Sequence, residues 1–201
     1  MKAAGRGDLK TVDRLVAEGV DVNTQGYKSI TPLFWTLSRG NRKGYLHLLE
    51  LGADPNDRWE DGYPLMLLIA HVEDPFYLEE ALKHGGDPNI EDPGNKQTPI
   101  SETFELGPKT KLQLLIKHGA DVNHQDKHGD TPMMLAAGGS AAYDAVWMLL
   151  KAGADPTIKN VWGNDLSYDI NTHEKTGLKP EIQPWFEKVK KILVEKWGYK
   201  F

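Results

Sequence analysis

Ile116-Lys117-His118-Gly119-Ala120-Asp121-Val122-Asn123-His124-Gln125-Asp126-Lys127-His128-Gly129-Asp130-Thr131-Pro132 closes one helix, makes a projecting turn and opens the next. The apolar run Leu114, Leu115, Ile116 leads into Gly119, and a glycine there suits the left-handed residue that satisfies the last carbonyls of a helix. Asp126 to Gly129 reads as a tight turn. Thr131 then offers a hydroxyl to the free amides of a new helix, and Pro132 fits its first position because the missing N–H is not needed there. One such unit cannot bury its own apolar face, so the chain must supply neighbours.

It does. Gly19-Val20-Asp21-Val22-Asn23, Gly52-Ala53-Asp54-Pro55-Asn56, Gly85-Gly86-Asp87-Pro88-Asn89, Gly119-Ala120-Asp121-Val122-Asn123 and Gly153-Ala154-Asp155-Pro156-Thr157 recur at spacings of 33, 33, 34 and 34 residues. Ahead of each, apolar positions keep an i, i+3, i+4 phase: Val12, Leu15 and Val16; Tyr45, Leu48 and Leu49; Leu78, Ala81 and Leu82; Leu112, Leu115 and Ile116; Val146, Leu149 and Leu150. That is one buried helical stripe per unit. Helix starts recur at Thr31-Pro32, Tyr63-Pro64, Thr98-Pro99 and Thr131-Pro132.

These residues resemble the ankyrin repeat, with its Thr-Pro-Leu-His start and Gly-Ala-Asp-Val-Asn end, over roughly residues 3 to 170. The resemblance implies an all-α repeat solenoid of helix-turn-helix pairs with short hairpin-like tips. The expected layout is a single domain over 1-201: a partial repeat 1-23, repeats 24-56, 57-89, 90-123 and 124-157, and a last repeat with a C-terminal cap at 158-201. The chain departs from the pattern where the helix-start His is replaced by Phe34, Met66, Ser101 and Met134, and the paired alanines survive only as Ala136-Ala137. Repeat three loses a residue before Pro64, and the turn at Asp92-Pro93-Gly94-Asn95 carries an extra one.

Residues 3 to 23 match only the second half of a repeat, so either the first helix is short or an upstream segment, such as an export signal, has been removed, and the second is the expectation. That leaves the compartment open between bacterial periplasm and cytoplasm. In repeat four, Ile100 to Phe104 is an irregular first helix with a stop at Gly107-Pro108. Past the tip Val161-Trp162-Gly163-Asn164 the sequence predicts a short helix over Leu166 to Ile170, a polar loop from Asn171 to Lys179, and a last helix from about Pro184 to Trp197. That helix groups Trp185, Val189, Ile192, Leu193 and Trp197 on one side, as a terminal cap requires.

Composition narrows the function. The longest apolar run, near Leu65 to Ala70, is far short of the roughly 20 residues of a membrane span. The absence of Cys removes thiolate chemistry and Cys-ligated zinc, and a formal net charge of −5 argues against nucleic acid. No HExxH occurs, and His124 and His128 sit on a turn rather than on one helix face, so no metal or cofactor is implied. Gly138-Gly139-Ser140 lacks the strand that a nucleophile elbow requires, and no phosphate-binding loop is present. His84 and His118 precede closing glycines, where an imidazole meets the negative end of a helix. The recurring Asp21, Asp54, Asp87, Asp121 and Asp155 read as turn residues. No catalytic set emerges.

The resemblance implies that a partner protein contacts the tips and first helices, on a concave face. Those positions are Tyr27, Lys28, Trp35, Arg58, Trp59, Glu60, Asp61, Tyr63, Glu91, Asp92, Lys127, His128 and Trp162, with Asn95, Asp130, Val161 and Asn164 beside them. Tyr27, Trp59, Tyr63 and Trp162 are the expected anchors, since Tyr and Trp dominate interface energetics. Asp57, Glu60, Asp61, Glu73, Asp74, Glu91, Asp92, Glu102 and Glu105 crowd the same side with only Arg58 and Lys96 nearby, which favours a basic partner. The expected function is non-catalytic: a monomeric immunity or inhibitor protein of the small bacterial ankyrin type, occluding a secreted toxin or effector. The alternative is an intracellular scaffold with several partners.

Overall fold

The computed structural model describes residues 2–104 and 109–201, so the expected stop at Gly107-Pro108 and the acidic Glu105 lie outside the described residues. The chain forms two compact units, Met1–Pro93 and Gly94–Phe201. Both are built of helix pairs, and among the described residues there is no strand; one antiparallel bridge, Arg58 with Pro64, marks the hairpin character of a tip.

The first unit contains α1 (Lys2–Arg6), α2 (Leu9–Ala17), a 3-10 turn (Tyr27–Ser29), α3 (Pro32–Ser38), α4 (Arg42–Glu50), α5 (Leu65–His71) and α6 (Pro75–Lys83). Polar side chains start these helices: Thr31, as the sequence predicts, accepts from the Phe34 amide, and Asn41 and Asp74 accept from the Gly44 and Phe76 amides. The third start differs. Pro64 is the cap of α5 rather than its first residue, and it has no hydroxyl to offer, so the Leu65 amide donates instead to the Asp57 carbonyl at 2.8 Å. The apolar stripes are buried as their phase requires, with Tyr45, Leu48 and Leu49 on α4 and Leu78, Ala81 and Leu82 on α6. Tyr45 and Tyr77 meet edge to face at 4.9 Å, and Tyr45 donates to the Tyr77 carbonyl at 3.2 Å.

The second unit contains a 3-10 helix (Pro99–Thr103), α7 (Thr110–Lys117), α8 (Pro132–Gly138), α9 (Tyr143–Lys151), α10 (Leu166–Thr176) and α11 (Gln183–Trp197). The irregular first helix of repeat four is a 3-10 helix, within which the Ser101 and Thr103 hydroxyls donate to the carbonyls of Thr98 and Ile100 at 2.8 and 2.7 Å. Ala136 and Ala137 on α8 are fully buried, which lets α9 approach closely.

Two expectations about the end of the chain are corrected. The polar stretch after Ile170 is not a loop as far as Thr176: α10 runs on, held by the 2.8 Å hydrogen bond that His173 shares with the Tyr143 hydroxyl. Gly177, at φ 80, ends it. On α11 the buried residues are Phe186, Val189 and Leu193, whereas Trp197 is exposed. Phe186 meets Tyr143 edge to face at 4.9 Å, so the helix is rotated to seat Phe186 on α9.

The five recurring segments, four ending in Asn and the last in Thr157, share one geometry. Asp21, Asp54, Asp87, Asp121 and Asp155 each accept from the backbone amide two residues on at 2.8 Å. These aspartates are turn residues, as read. The asparagine then reaches the next repeat: Asn23 accepts from the Asp54 amide, Asn56 from Asp87 and Asn123 from Asp155, at 2.7 to 2.8 Å. Asn23 and Asn56 also donate to the Gly52 and Gly85 carbonyls.

Candidate functional site

Each tip is set by a short turn closed at a residue in left-handed conformation. Gly62, Gly129 and Gly163 occupy this place at φ 82, 76 and 79; Ser29 occupies it in the first tip at φ 56, with Lys28 beside it at φ 58. Asp126 folds beneath its tip and accepts from the amides of His128 and Asp130, and Asn160 does the same for Trp162 and Asn164. The tips are tied in series inside each unit. Gln125 donates to the Gly129 and Lys159 carbonyls, and the Val161 amide donates to the His128 carbonyl. Arg58 plays the part of Gln125, donating to the carbonyls of Gly62 and Glu91.

In the first unit the side chains at the tips divide into two groups. Tyr27 is 83% exposed, with the Lys28 ammonium near its ring, and Glu60, Asp61 and Glu91 are exposed. Trp59 and Tyr63 instead fold back and are half-buried. Trp59 occupies the turn position that Asp126 holds in the second unit, since its amide donates to the Tyr63 carbonyl and its own carbonyl accepts from Gly62. A side chain at that position points inward. The indole therefore meets Phe34 edge-on at 5.4 Å and Tyr63 at 5.7 Å. Trp59 and Phe34, with Ile30, form the apolar wall of an open cleft of about 610 Å³ rimmed by Lys28, Glu60 and Asp61. Trp35 is half-buried, with the Arg39 guanidinium 5.4 Å from its ring.

The acidic face is sparser than the composition suggests. Asp92 is only 6% exposed. Asp57 is half-buried, and burial raises its carboxyl above the ordinary range. Asp74 is occupied by capping α6 and by an ion pair with Arg42 at 2.6 Å. Burial of Asp92 and Asp57, and the capping and pairing of Asp74, engage these three within the unit.

In the second unit Lys127 and His128 are exposed, and His128 stacks on Trp162 at 5.5 Å. Trp162 is 64% exposed and Val161 is similarly open. Asp130 is bonded to the Asn160 amide group at 2.7 Å. Between this tip and α10 lies a cleft of about 460 Å³, lined by Asp130, Trp162, Asp165, Tyr168 and Asp169, with Gly138 and Gly139 at the end of α8 as floor. Sequence reasoning missed Tyr168 and Asp169, because it ended the exposed surface at the tip.

Among the described residues no group of three or more His, Asp or Glu is placed to hold a metal, and no helix is long and apolar enough to cross a membrane. His84 bonds through Nδ1 to the Glu80 carbonyl at 2.8 Å, near the C-terminal end of α6.

Helix pairs tied within each unit by Asn23, Asn56 and Asn123, with exposed aromatics at the turns, define a helical repeat protein. Over residues 65–160 the chain carries ankyrin repeats. A sequence model of ankyrin repeats, three copies, matches residues 65–160. Protein PhlB of Serratia liquefaciens is 30% identical over 136 residues, which cover 68% of this chain and 60% of that protein. A palmitoyltransferase of Lachancea kluyveri is 28% identical over 176 residues, 82% of this chain and 23% of its own length. The chain thus spans less than two thirds of each of these relatives. Among solved structures, an ankyrin repeat domain from Acinetobacter baumannii superposes with a TM-score of 0.78 at 23% identity, covering 94% of this chain and 96% of that one. A chain of a complex between a predatory endopeptidase from Bdellovibrio bacteriovorus and an immunity protein superposes with a TM-score of 0.73 at 21% identity, covering 93% and 95%. Ankyrin repeats are a protein–protein interaction module.

Proposed function

We propose that this chain, acting as one ankyrin-repeat domain over residues 1–201, binds a single protein partner without catalysis of its own and serves as a bacterial immunity or inhibitor protein that occludes a toxin or effector. The observation that carries the reading is the exposure of large apolar side chains at the tips, Tyr27 at 83%, Val161 at 65% and Trp162 at 64%. Exposed aromatics at projecting turns are the residues a partner covers with most gain. The open acids Glu60, Asp61 and Glu91 suit a basic partner surface. The immunity role draws support from the likeness to a chain of the endopeptidase–immunity complex. Arg58, Trp59 and Tyr63 support the tips from beneath; Lys28, Trp35, Lys127 and His128 line their flanks.

The test uses the full chain as bait in its source host, with mass spectrometry of what is retained. One stoichiometric protein is expected, and Tyr27→Ala and Trp162→Ala are each expected to weaken its binding at least about tenfold, or about 1.4 kcal/mol. Several substoichiometric partners would favour the scaffold reading. Retention unchanged by both substitutions would remove the tips as the contact surface.

A further inference from the structure

The exposed aromatics of the second unit surround a cleft whose charge is one-sided. Trp162 and Tyr168 are 64% and 56% exposed beside it, an apolar surface left open to solvent. Three carboxylates line the same space, from Asp130, Asp165 and Asp169, and among the described residues no Lys or Arg does. Two of the three have internal partners: Asp130 takes the Asn160 amide group, and Asp165 caps α10 through Ser167. Asp169 lies against the floor, where a Cβ on Gly138 would be 3.0 Å from its Oδ1. The glycine is what leaves room for the carboxylate. The floor is also the C-terminal end of α8, where helix carbonyls add negative potential.

A flat cation suits these walls better than a compact one. A guanidinium stacks on indole and phenol rings while donating in-plane hydrogen bonds to carboxylates and carbonyls, whereas an ammonium is more strongly hydrated and has no plane to match. We infer that this cleft receives an arginine side chain of the partner protein, held between Trp162 and Tyr168 with Asp169 as its counter-charge. The inference rests on the protein-binding reading and names the chemistry that one part of the partner must carry. Burial, with Asp130 nearby, pushes the Asp169 carboxyl up to about 6, as expected of a carboxylate set among like charges.

The probe is a capped Gly-Gly-Arg-Gly-Gly peptide titrated into the ¹⁵N-labelled full chain, with lysine and citrulline counterparts as controls. The signals followed are the Trp162 indole N–H, assigned through Trp162→Phe, and the Gly138 and Gly139 amides. Arginine is expected to give saturable shifts confined to these signals, lysine a weaker response and citrulline none. Asp169→Asn is expected to weaken the arginine response at least about tenfold while helical circular dichroism is unchanged. No saturable response, an equal response to citrulline or to lysine, or an unaltered response in Asp169→Asn would overturn the assignment. A chain that binds the arginine peptide but retains no host protein would sink the protein-binding reading alone. A partner captured by a chain that ignores the peptide would sink this cleft alone.

Discussion

Gly86 stands where the other later repeats place Ala53, Ala120 and Ala154, all buried, so a comparison of the repeats suggests that alanine belongs there. The structure reverses that advice. A Cβ on Gly86 would lie 2.8 Å from the Met66 sulfur and 2.9 Å from the Ala81 carbonyl oxygen, and the second is backbone that cannot swing aside. Met66 is also the residue replacing the family's helix-start His, and it is fully buried. The two departures from the pattern are therefore neighbours in space. Gly86→Ala is expected to destabilise the chain by about 1–3 kcal/mol in urea unfolding, although alanine restores the pattern. Asp169 gives a second residue-scale expectation, with its sign set by linkage. Its carboxyl is raised from 3.8 to about 6, mainly by burial and then by Asp130, so ionising it costs the folded state more than the unfolded one. Stability present below 3.8 is lost as pH rises through about 6. Asp169→Asn is expected to gain about 1 kcal/mol at pH 8 and nothing at or below 3.8, the gain being held down by solvent at the open cleft. His173 acts in the opposite sense. Burial lowers its pKa below 6.5, so the stability it lends above 6.5 is lost as pH falls through the lowered value, and comparing the Asp169→Asn variant with the parent chain at each pH cancels it.

At the scale of elements, Asn23, Asn56 and Asn123, each ending a Gly-to-Asn segment, join one repeat to the next. Asn56 accepts from the Asp87 amide at 2.7 Å and donates to the Gly85 carbonyl at 2.9 Å, crossing to the loop that closes α6. Asn56→Ala leaves both backbone groups to solvent and is expected to cost about 1–2 kcal/mol, with faster hydrogen exchange at Asp87 than in α4. The fifth segment ends in Thr157, whose hydroxyl bonds back to Asp155 at 2.7 Å. After it the chain turns to α10 and α11, which cover α8 and α9 by a different arrangement. The length of α10 illustrates how context extends a helix. Asn171 to Thr176 has no apolar stripe, yet it continues the helix because His173 is bonded to Tyr143 and Glu174 is paired with Lys190 of α11.

For the molecule as a whole, the net charge of −5 and the open acids at the tips bear on how fast a partner arrives rather than on how tightly it stays. Association with a basic partner is expected to slow about tenfold between low and physiological salt, with dissociation little changed, as read by stopped-flow mixing. An on-rate indifferent to salt would show that the apolar tips act without steering.

The repeat, its helix pairs and its turn aspartates were legible in the sequence because periodicity, closing glycines and capping threonines are local signals, each read within a few residues. The tips were legible for the same reason, and Tyr27 and Trp162 stand exposed as placed. Their relation to the surface was not. Trp59 turned inward because it took the turn position whose side chain points beneath the tip, and Asp92 is buried. The cleft around Asp169 joins residues from a tip, the end of α8 and the middle of α10, separated by as many as 39 positions between Asp130 and Asp169. No local pattern records such a meeting. Only the packing of α10 on α8 brings those groups together, since burial and charge at a point depend on every segment that surrounds it.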